Sequence, residues 1–153
     1  MLRVGTAAPP FEGNDSRGQP LRLADFRGQS NVVIFFFPKS FTPGCTVEAC
    51  SFRDAYQELR GRDTVLVGVS LDAPHVQQRF IDQFELPFHL VSDEDERISR
   101  AYEAIGAIGS VLKMTRRITY VIDKEGVVRG AFRHELAVKR HLDDVRAAIA
   151  SLP

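Results

Sequence analysis

Both cysteines of this 153-residue chain, Cys45 and Cys50, lie in one short segment with the sequence TPGCTVEAC. Thr42 and Pro43 are typical of an N-cap and a first helical residue, which predicts that a helix begins here. Cys45 would then lie in the first turn, where free backbone N–H groups and the helix dipole favour a thiolate. The thiolate is the nucleophilic form of cysteine, and Gly44 leaves room for a substrate to approach its sulfur. The Thr42 hydroxyl, one turn earlier, could hydrogen-bond both the sulfur and an incoming oxygen.

The five-residue spacing of the cysteines limits how they could bond to each other. In a regular helix, the Cα atoms of residues five apart are roughly 8.5 Å apart, beyond the ~7 Å that a disulfide spans. A bond between Cys45 and Cys50 therefore needs the first turns of the helix to unwind, which suits a disulfide that forms transiently. A structural interpretation stays open, since free cysteines are often small buried hydrophobic residues and Cys50 could lie on the inner helix face.

The elements that position the cysteines follow from the hydrophobic pattern. Strands 31–37 and 64–71 are apolar without alternation, which predicts burial on both faces of a sheet. A helix that begins at Pro43 and ends near Gly61 connects them. The other predicted elements are a hairpin within residues 8–28, helix 73–86, strand 88–93, helix 95–106, a hairpin at 117–133 and helix 138–152. This order predicts an α/β fold with a central mixed β-sheet flanked by helices and an N-terminal hairpin. With no repeat or linker, we expect residues 1–153 to form one domain.

Composition and charge narrow the classes of partner and location. The chain is 44% hydrophobic and 26% charged with zero formal net charge, which is ordinary for a soluble protein. Charges of one sign are not grouped, so we expect neither nucleic acid nor a membrane as a partner. The first 13 residues lack the apolar region of a signal peptide, and the longest apolar run is too short to cross a bilayer. We therefore expect a cytoplasmic location, where a permanent structural disulfide is unusual.

The cysteine segment and its surroundings resemble the peroxiredoxins, most closely the bacterioferritin-comigratory (Q-type) subfamily. The family pattern Pro-x-x-x-Thr/Ser-x-x-Cys occurs here as Pro38, Thr42 and Cys45, and the subfamily pattern TPGCTxEAC with FRD occurs as TPGCTVEACSFRD. The segments VGTAAPPFEGNDSRG and RRITYVIDKEGVVR are also similar to family segments, and the second implies that Arg117 is the active-site arginine. The resemblance covers nearly the whole chain and implies a thioredoxin-like fold.

The resemblance also implies a reaction. The protein would be a thiol-dependent peroxidase that reduces hydrogen peroxide and organic hydroperoxides. Cys45 would be the peroxidatic residue that becomes a sulfenic acid, and Cys50, at the subfamily's usual resolving position, would condense with it to an intramolecular disulfide. A thioredoxin-like reductant would restore both thiols, with no metal or organic cofactor. Because resolution within one chain needs no dimer, we expect a monomer.

Several neighbours of Cys45 gain roles from the same resemblance. Thr42, the Cys45 backbone N–H and Arg117 would donate hydrogen bonds to the charge that develops on the peroxide, and a guanidinium suits this better than an amine. Pro38 would pack over the site and exclude water. Glu48 matches the family glutamate and either orients an arginine or is an exposed first-turn residue that complements the helix dipole.

Other charged residues receive weaker interpretations. Arg53 either holds Glu48 or the loop, or lies on a solvated helix face, which is the favoured interpretation. Arg116 and Arg117 are adjacent on a strand, so their side chains point to opposite faces and only one can face Cys45. The four histidines show no metal-ligand spacing, and we expect all of them at the surface or its boundary: His75, His89, His134 and His141.

The chain departs from the subfamily at Phe37, which often is Tyr, and at Ser40 and Phe41, where acidic residues are common. These changes predict a more apolar rim of the pocket and a preference for organic hydroperoxides over hydrogen peroxide.

Three rival functions differ in what they require. A disulfide reductase of the thioredoxin kind needs Cys-x-x-Cys, in which both sulfurs meet without unwinding. A metal-binding module is disfavoured because two cysteines without partner histidines fill half of a zinc site. A redox-sensing domain, whose disulfide controls partner binding rather than turning over, stays as the alternative.

Overall fold

The computed structural model describes residues 1–152. Its elements, in chain order, are β1 (Glu12–Asn14), β2 (Pro20–Arg22), a 3₁₀ helix (Leu23–Phe26), β3 (Asn31–Phe36), α1 (Pro43–Arg60), β4 (Thr64–Ser70), α2 (Pro74–Phe84), β5 (His89–Ser92), α3 (Arg97–Ala101), α4 (Ala107–Leu112), β6 (Ile118–Ile122), β7 (Val128–Arg133) and α5 (Arg140–Ala150). Within these residues no helix combines the length and the apolar character that crossing a membrane requires.

A five-stranded mixed sheet in the order β5-β4-β3-β6-β7 forms the centre of the fold. Strands β3, β4 and β5 are parallel, whereas β6 runs antiparallel to both β3 and β7. Val33 of β3 lies opposite Leu66 of β4 and Val121 of β6. All residues of β3 and β4 are buried, as their unbroken apolar sequences predict. The mixed sheet and the separate β1-β2 hairpin confirm the predicted architecture.

Alternate residues of β3 face two different hydrophobic layers. Phe35 lies in the layer formed with α1, α2 and α5, and its ring centroid is 4.8 Å from that of Phe52 on α1. Ile34 and Phe36 face the other layer, which the N-terminal hairpin and α3 cover. The sheet is therefore a rigid platform with helices on both sides, and α1 begins just beyond the end of β3.

The loop between β3 and α1 carries the start of the cysteine helix and is tied to a neighbouring loop. Ser40 donates two hydrogen bonds to Asp72 Oδ2, from its backbone N at 2.8 Å and from its hydroxyl at 2.7 Å. Helix α1 then begins at Pro43 after Thr42 in an extended conformation, and Gly61 caps its end, as predicted. These contacts fix where the first turn of α1 lies relative to the sheet.

Helix α4 is absent from the sequence-based expectation. Its six residues have no buried face, and Ile108 and Val111 are 78% and 83% exposed. A pattern of hydrophobic residues predicts a helix only where one face packs against a core, so this helix has no such signal. Helix α3 is also shorter than the predicted segment 95–106.

Candidate active site

Cys45 lies in the first turn of α1 and is 1% exposed. Arg117, one residue before β6, extends its guanidinium to the sulfur, and the Nη1–Sγ distance is 3.4 Å. Burial lowers the pKa of Arg117, but the neighbouring Cys45 and Glu48 raise it more, so the guanidinium keeps its charge. The sulfur therefore faces a permanent positive charge in addition to the N-terminal end of a helix.

Glu48, one turn further along α1, completes a buried group with Cys45 and Arg117. The same Arg117 Nη1 that contacts the sulfur donates to Glu48 Oε1 at 3.2 Å, and the glutamate side chain is 1% exposed. Burial raises the pKa of Glu48 to about 8, although the arginine acts to lower it and Glu135 adds to the rise. The interpretation of Glu48 as an exposed residue is wrong. One guanidinium nitrogen is shared between a thiol and a carboxyl group whose pKa burial raises.

The backbone at Arg117 is held by a further carboxylate. Its N–H donates to Glu135 Oε1 at 3.4 Å, and Arg133 Nε donates to the same oxygen at 2.9 Å. The neighbouring Arg116 points to the other side of the strand, where Nη1 donates to the carbonyl of Glu103 at 3.3 Å. Both arginines precede β6 rather than lying in it, and only Arg117 reaches the cysteine, as predicted.

The Thr42 hydroxyl does not contact the sulfur. It donates to the carbonyl oxygen of Lys39 at 2.7 Å and makes no capping hydrogen bond to the helix. Thr42 has extended backbone angles, and its hydroxyl reaches the carbonyl three residues back instead of Cys45. The predicted hydrogen bond from Thr42 to the sulfur is therefore wrong, and the hydroxyl oxygen retains its lone pairs as acceptors.

Gly44 provides space for the arginine. A Cβ atom at this position would lie 3.0 Å from Arg117 Nη2 and 3.7 Å from Val138 Cγ1. The first of these distances is tighter than ordinary contact, so a larger side chain would require the guanidinium to shift. The space that the sequence assigned to a substrate is thus partly filled by Arg117.

The residues that depart from the subfamily pattern do not form one apolar rim. Pro38 is half-buried at the end of β3, while Phe37 is packed in the core and Ser40 is buried against Asp72. Phe41 alone of the three departures is exposed, at 40%, and its ring contacts Phe80 on α2 with a centroid distance of 5.2 Å. The expectation of an apolar rim therefore rests on Phe41.

Cys50 is half-buried on α1, and both thiols are free. The helix continues without a break from Pro43 to Arg60, so the two cysteines cannot pair in this conformation. Arg53 does not reach Glu48; it donates to the carbonyl of Phe84 at 2.8 Å and pairs with Asp54. The interpretation of Arg53 as a partner of Glu48 is wrong.

Comparison with known proteins identifies the family. The sequence profile of the AhpC/TSA family matches residues 4–131. The chain belongs to this family. It is 34% identical over 148 residues to the chloroplastic peroxiredoxin Q of Sedum lineare, a match that covers 97% of this chain and 78% of that protein.

Solved structures of two bacterial proteins are similar over almost their whole length. Peroxidoxin BcpB of Mycobacterium tuberculosis has a TM-score of 0.91 and 30% identity, covering 100% of this chain and 99% of that chain. The bacterioferritin comigratory protein of Xanthomonas campestris, described with alkyl peroxide reduction activity, has a TM-score of 0.84 and 30% identity, covering 99% and 97%. The present chain is thus a peroxiredoxin of the Bcp/Q type with a thioredoxin fold, and it is a thiol-dependent peroxidase, which confirms the resemblance.

One histidine of the peroxiredoxin lies in the core, against expectation. His141 on α5 is completely buried, with Nδ1 2.8 Å from Thr119 Oγ1 and Nε2 3.0 Å from the carbonyl oxygen of His134. Its Nε2 is also 3.6 Å from Glu48 Oε2. Burial lowers the pKa of His141 to about 4, so the ring is neutral at pH 7. The prediction that all histidines lie at the surface or its boundary is wrong for His141. The sequence did contain a signal for its burial, because His141, Val145 and Ile149 are spaced at i, i+4 and i+8 on the inward face of α5.

Proposed function

We propose that this peroxiredoxin reduces hydrogen peroxide and organic hydroperoxides at Cys45, with Cys50 as the resolving residue and a thioredoxin-like protein as the reductant. The observation that carries the proposal is the 3.4 Å contact between Cys45 Sγ and a buried guanidinium at the start of a helix. The thioredoxin-like reductant and a monomer are both parts of this proposal.

In the first step the Cys45 thiolate attacks the nearer peroxide oxygen. An S–O bond forms while the O–O bond breaks, and the farther oxygen leaves as an alkoxide or hydroxide that takes up a proton. Donors aimed at this developing charge lower the barrier most. Arg117 can provide them, since its charged guanidinium lies 3.4 Å from the sulfur that the peroxide must reach.

Thr42 has a different role from the one that its sequence position implies. Its hydroxyl already donates a hydrogen bond to the Lys39 carbonyl. The hydroxyl oxygen would therefore accept a hydrogen bond from the peroxide O–H instead of donating one. This would orient the nearer oxygen toward the sulfur. Pro38, half-buried beside the site, would limit the access of water, and Gly44 would keep the space for the guanidinium.

In the second step the sulfenic acid of Cys45 condenses with the Cys50 thiol to form a disulfide and release water. The start of α1 has to unwind for this, and the missing side-chain cap at Thr42 lowers the cost of that unwinding. A dithiol reductant then becomes a disulfide itself and returns both cysteines to thiols. Since every step uses one chain and an external dithiol, we propose a monomer that acts in a reducing compartment such as the cytoplasm.

The exposed ring of Phe41 supports a preference for organic hydroperoxides. It packs against the rings of Phe80 and Phe84 at centroid distances of 5.2 Å and 6.4 Å and presents an apolar surface close to the start of α1. The rates with cumene hydroperoxide and hydrogen peroxide would be compared, and a faster reaction with hydrogen peroxide would contradict this part of the proposal.

Intact-protein mass spectrometry after one equivalent of hydrogen peroxide tests the two-cysteine cycle. The wild type should lose two hydrogens, Cys50→Ser should gain one oxygen, and Cys45→Ser should do neither. Repeated turnover with a thioredoxin system should follow in the wild type and would exclude a domain that only senses peroxide. Cysteines that stay unmodified at low peroxide would overturn the proposal.

A further inference from the structure

We propose that His141 is a positioning residue of the peroxidase site, an inference that rests on the proposed roles of Cys45, Glu48 and Arg117. Its Nε2 lies 3.6 Å from the second carboxylate oxygen of Glu48 and thereby sets how the Arg117 guanidinium is shared between that carboxyl group and the sulfur.

The tautomer of His141 follows from its two hydrogen bonds. Nε2 is 3.0 Å from the carbonyl oxygen of His134, and a carbonyl oxygen only accepts, so Nε2 carries the hydrogen. Nδ1 must then be the acceptor for the Thr119 hydroxyl at 2.8 Å. The ring is thus fixed from two sides, by β6 and by the segment before α5. Its low pKa of about 4, caused by burial, keeps it neutral.

Glu48 presents one satisfied and one unsatisfied oxygen. Oε1 accepts from Arg117, whereas Oε2 is buried and has no hydrogen-bond partner within residues 1–152. His141 Nε2 is 3.6 Å from Oε2, and because this nitrogen carries the ring hydrogen that it donates to His134, it is a positively polarised atom beside that oxygen. This tautomer favours the charged carboxylate, because a positively polarised Nε2 attracts an ionised oxygen more strongly than a neutral one.

The titratable and charged groups around the pair are few, and Cys45 and Arg117 among them are buried. Cys45 on α1, Arg117 before β6 and Glu135 after β7 face Glu48, in addition to His141 itself. His134 and Asp144 are the further titratable groups beside His141, together with the same arginine.

This arrangement makes the reaction of Cys45 depend on the charge of Glu48. When Glu48 is protonated and neutral, the positive charge of Arg117 interacts with the sulfur and the peroxide without competition from a carboxylate. When Glu48 is ionised, the carboxylate competes for Arg117 Nη1. The oxidation rate should therefore fall as the pH rises through the ionisation of Glu48, at about pH 8. His141 favours the ionised form, so it sets the pH at which this fall occurs.

The test is the single-turnover rate of Cys45 oxidation by hydrogen peroxide as a function of pH. With His141→Leu the fall should move up by about half a pH unit, equal to about threefold in the acid dissociation constant of Glu48. With His141→Gln, whose amide N–H can take the place of Nε2–H, it should return toward the wild-type position. His134→Leu is the matched control, because the His134 ring stacks edge-on against His141 but bonds to Asp144 instead of Glu48.

The possible outcomes separate this inference from the proposed function. No oxidation of wild-type Cys45 would overturn the proposed function and the inference with it. Normal wild-type oxidation with a His141→Leu profile that superimposes on the wild type, or with an equal shift in His134→Leu, would overturn the inference alone. Should His141→Leu fail to fold, ¹⁵N spectra of the histidine-labelled wild type decide: a neutral Nε2–H tautomer of His141 down to about pH 5 supports the inference, and an Nδ1–H tautomer overturns it.

Discussion

Replacing Arg117 with lysine would keep a positive charge beside Cys45 but remove the fork of donors that a guanidinium offers. Arg117 Nη1 is 3.4 Å from Cys45 Sγ and 3.2 Å from Glu48 Oε1, so one nitrogen serves both groups. The lysine amine would end about one C–N bond, ~1.3 Å, short of this position. It would lose contact with the sulfur, the carboxyl group or both.

The size of the expected decrease in the oxidation rate depends on which interaction the lysine loses. The attraction between unit charges 3.4 Å apart is about 5 kcal/mol at an effective dielectric constant of about 20, and much of it survives because lysine is charged. The lost charge-assisted hydrogen bond is worth about 1.5–3 kcal/mol. Because a tenfold change in rate corresponds to about 1.36 kcal/mol, Arg117→Lys should slow the oxidation of Cys45 by about 10- to 150-fold.

Stopped-flow measurement of one turnover with hydrogen peroxide isolates this step from resolution and recycling. Arg116→Lys is the matched control, since Arg116 is adjacent in sequence but binds the Glu103 carbonyl on the other side of the strand. Its rate should stay within about twofold of the wild type. An Arg117→Lys rate that also stays within about twofold, or an equal slowing in Arg116→Lys, would refute the reasoning.

Three further predictions follow from the site. Burial raises the pKa of Glu48 from 4.5 to about 8, so the folded state binds an extra proton between these pH values and the free energy of unfolding falls as the pH rises through them. Glu48→Gln should remove this fall, as measured by urea titrations of the reduced protein at several pH values. An unchanged dependence of the unfolding free energy on pH would contradict the prediction. Gly44→Ala would place a Cβ atom 3.0 Å from Arg117 Nη2 and should slow Cys45 oxidation about tenfold, which corresponds to the free energy of roughly one hydrogen bond. A rate equal to that of the wild type would show that the guanidinium adapts to the added methyl group. Phe41→Ala should lower the ratio of the cumene hydroperoxide rate to the hydrogen peroxide rate about fivefold, as expected for loss of ~1 kcal/mol of apolar contact, and a constant ratio would argue against a role for this ring.

The sequence predicts the parts of the site that depend on local patterns. The apolar run before Pro43 and the cap position of Thr42 are enough to predict the strand, the helix start and the place of Cys45 in the first turn. The prediction that only one of Arg116 and Arg117 faces Cys45 is confirmed, although both residues precede β6 instead of lying in the strand. That residues 1–153 form one domain, and that the site residues have their assigned roles, stays a prediction.

The contacts that the sequence did not predict join distant elements. Glu48 shares the inward face of α1 with Cys45 and Phe52, and this spacing in the sequence could have indicated that Glu48 is buried. It was not decisive, because an ionisable side chain on such a face usually reaches solvent. Its burial depends on Arg117, 69 residues away in the sequence, and on His141. No local pattern contains these pairings. The hydrogen bond of Thr42 to Lys39 was missed because the backbone angles of a cap do not fix which way its hydroxyl rotates.

The two tethers that flank the cysteines determine how far an oxidative rearrangement can spread. Upstream, Ser40 is held by Asp72, and downstream, Arg53 is held by the carbonyl of Phe84. A rearrangement that joins Cys45 to Cys50 would therefore be confined to the segment between Ser40 and Arg53, and the backbone outside these two contacts would keep its conformation. The sheet and α5 would act as an unmoving frame, so each catalytic cycle would return the helix to the same starting geometry.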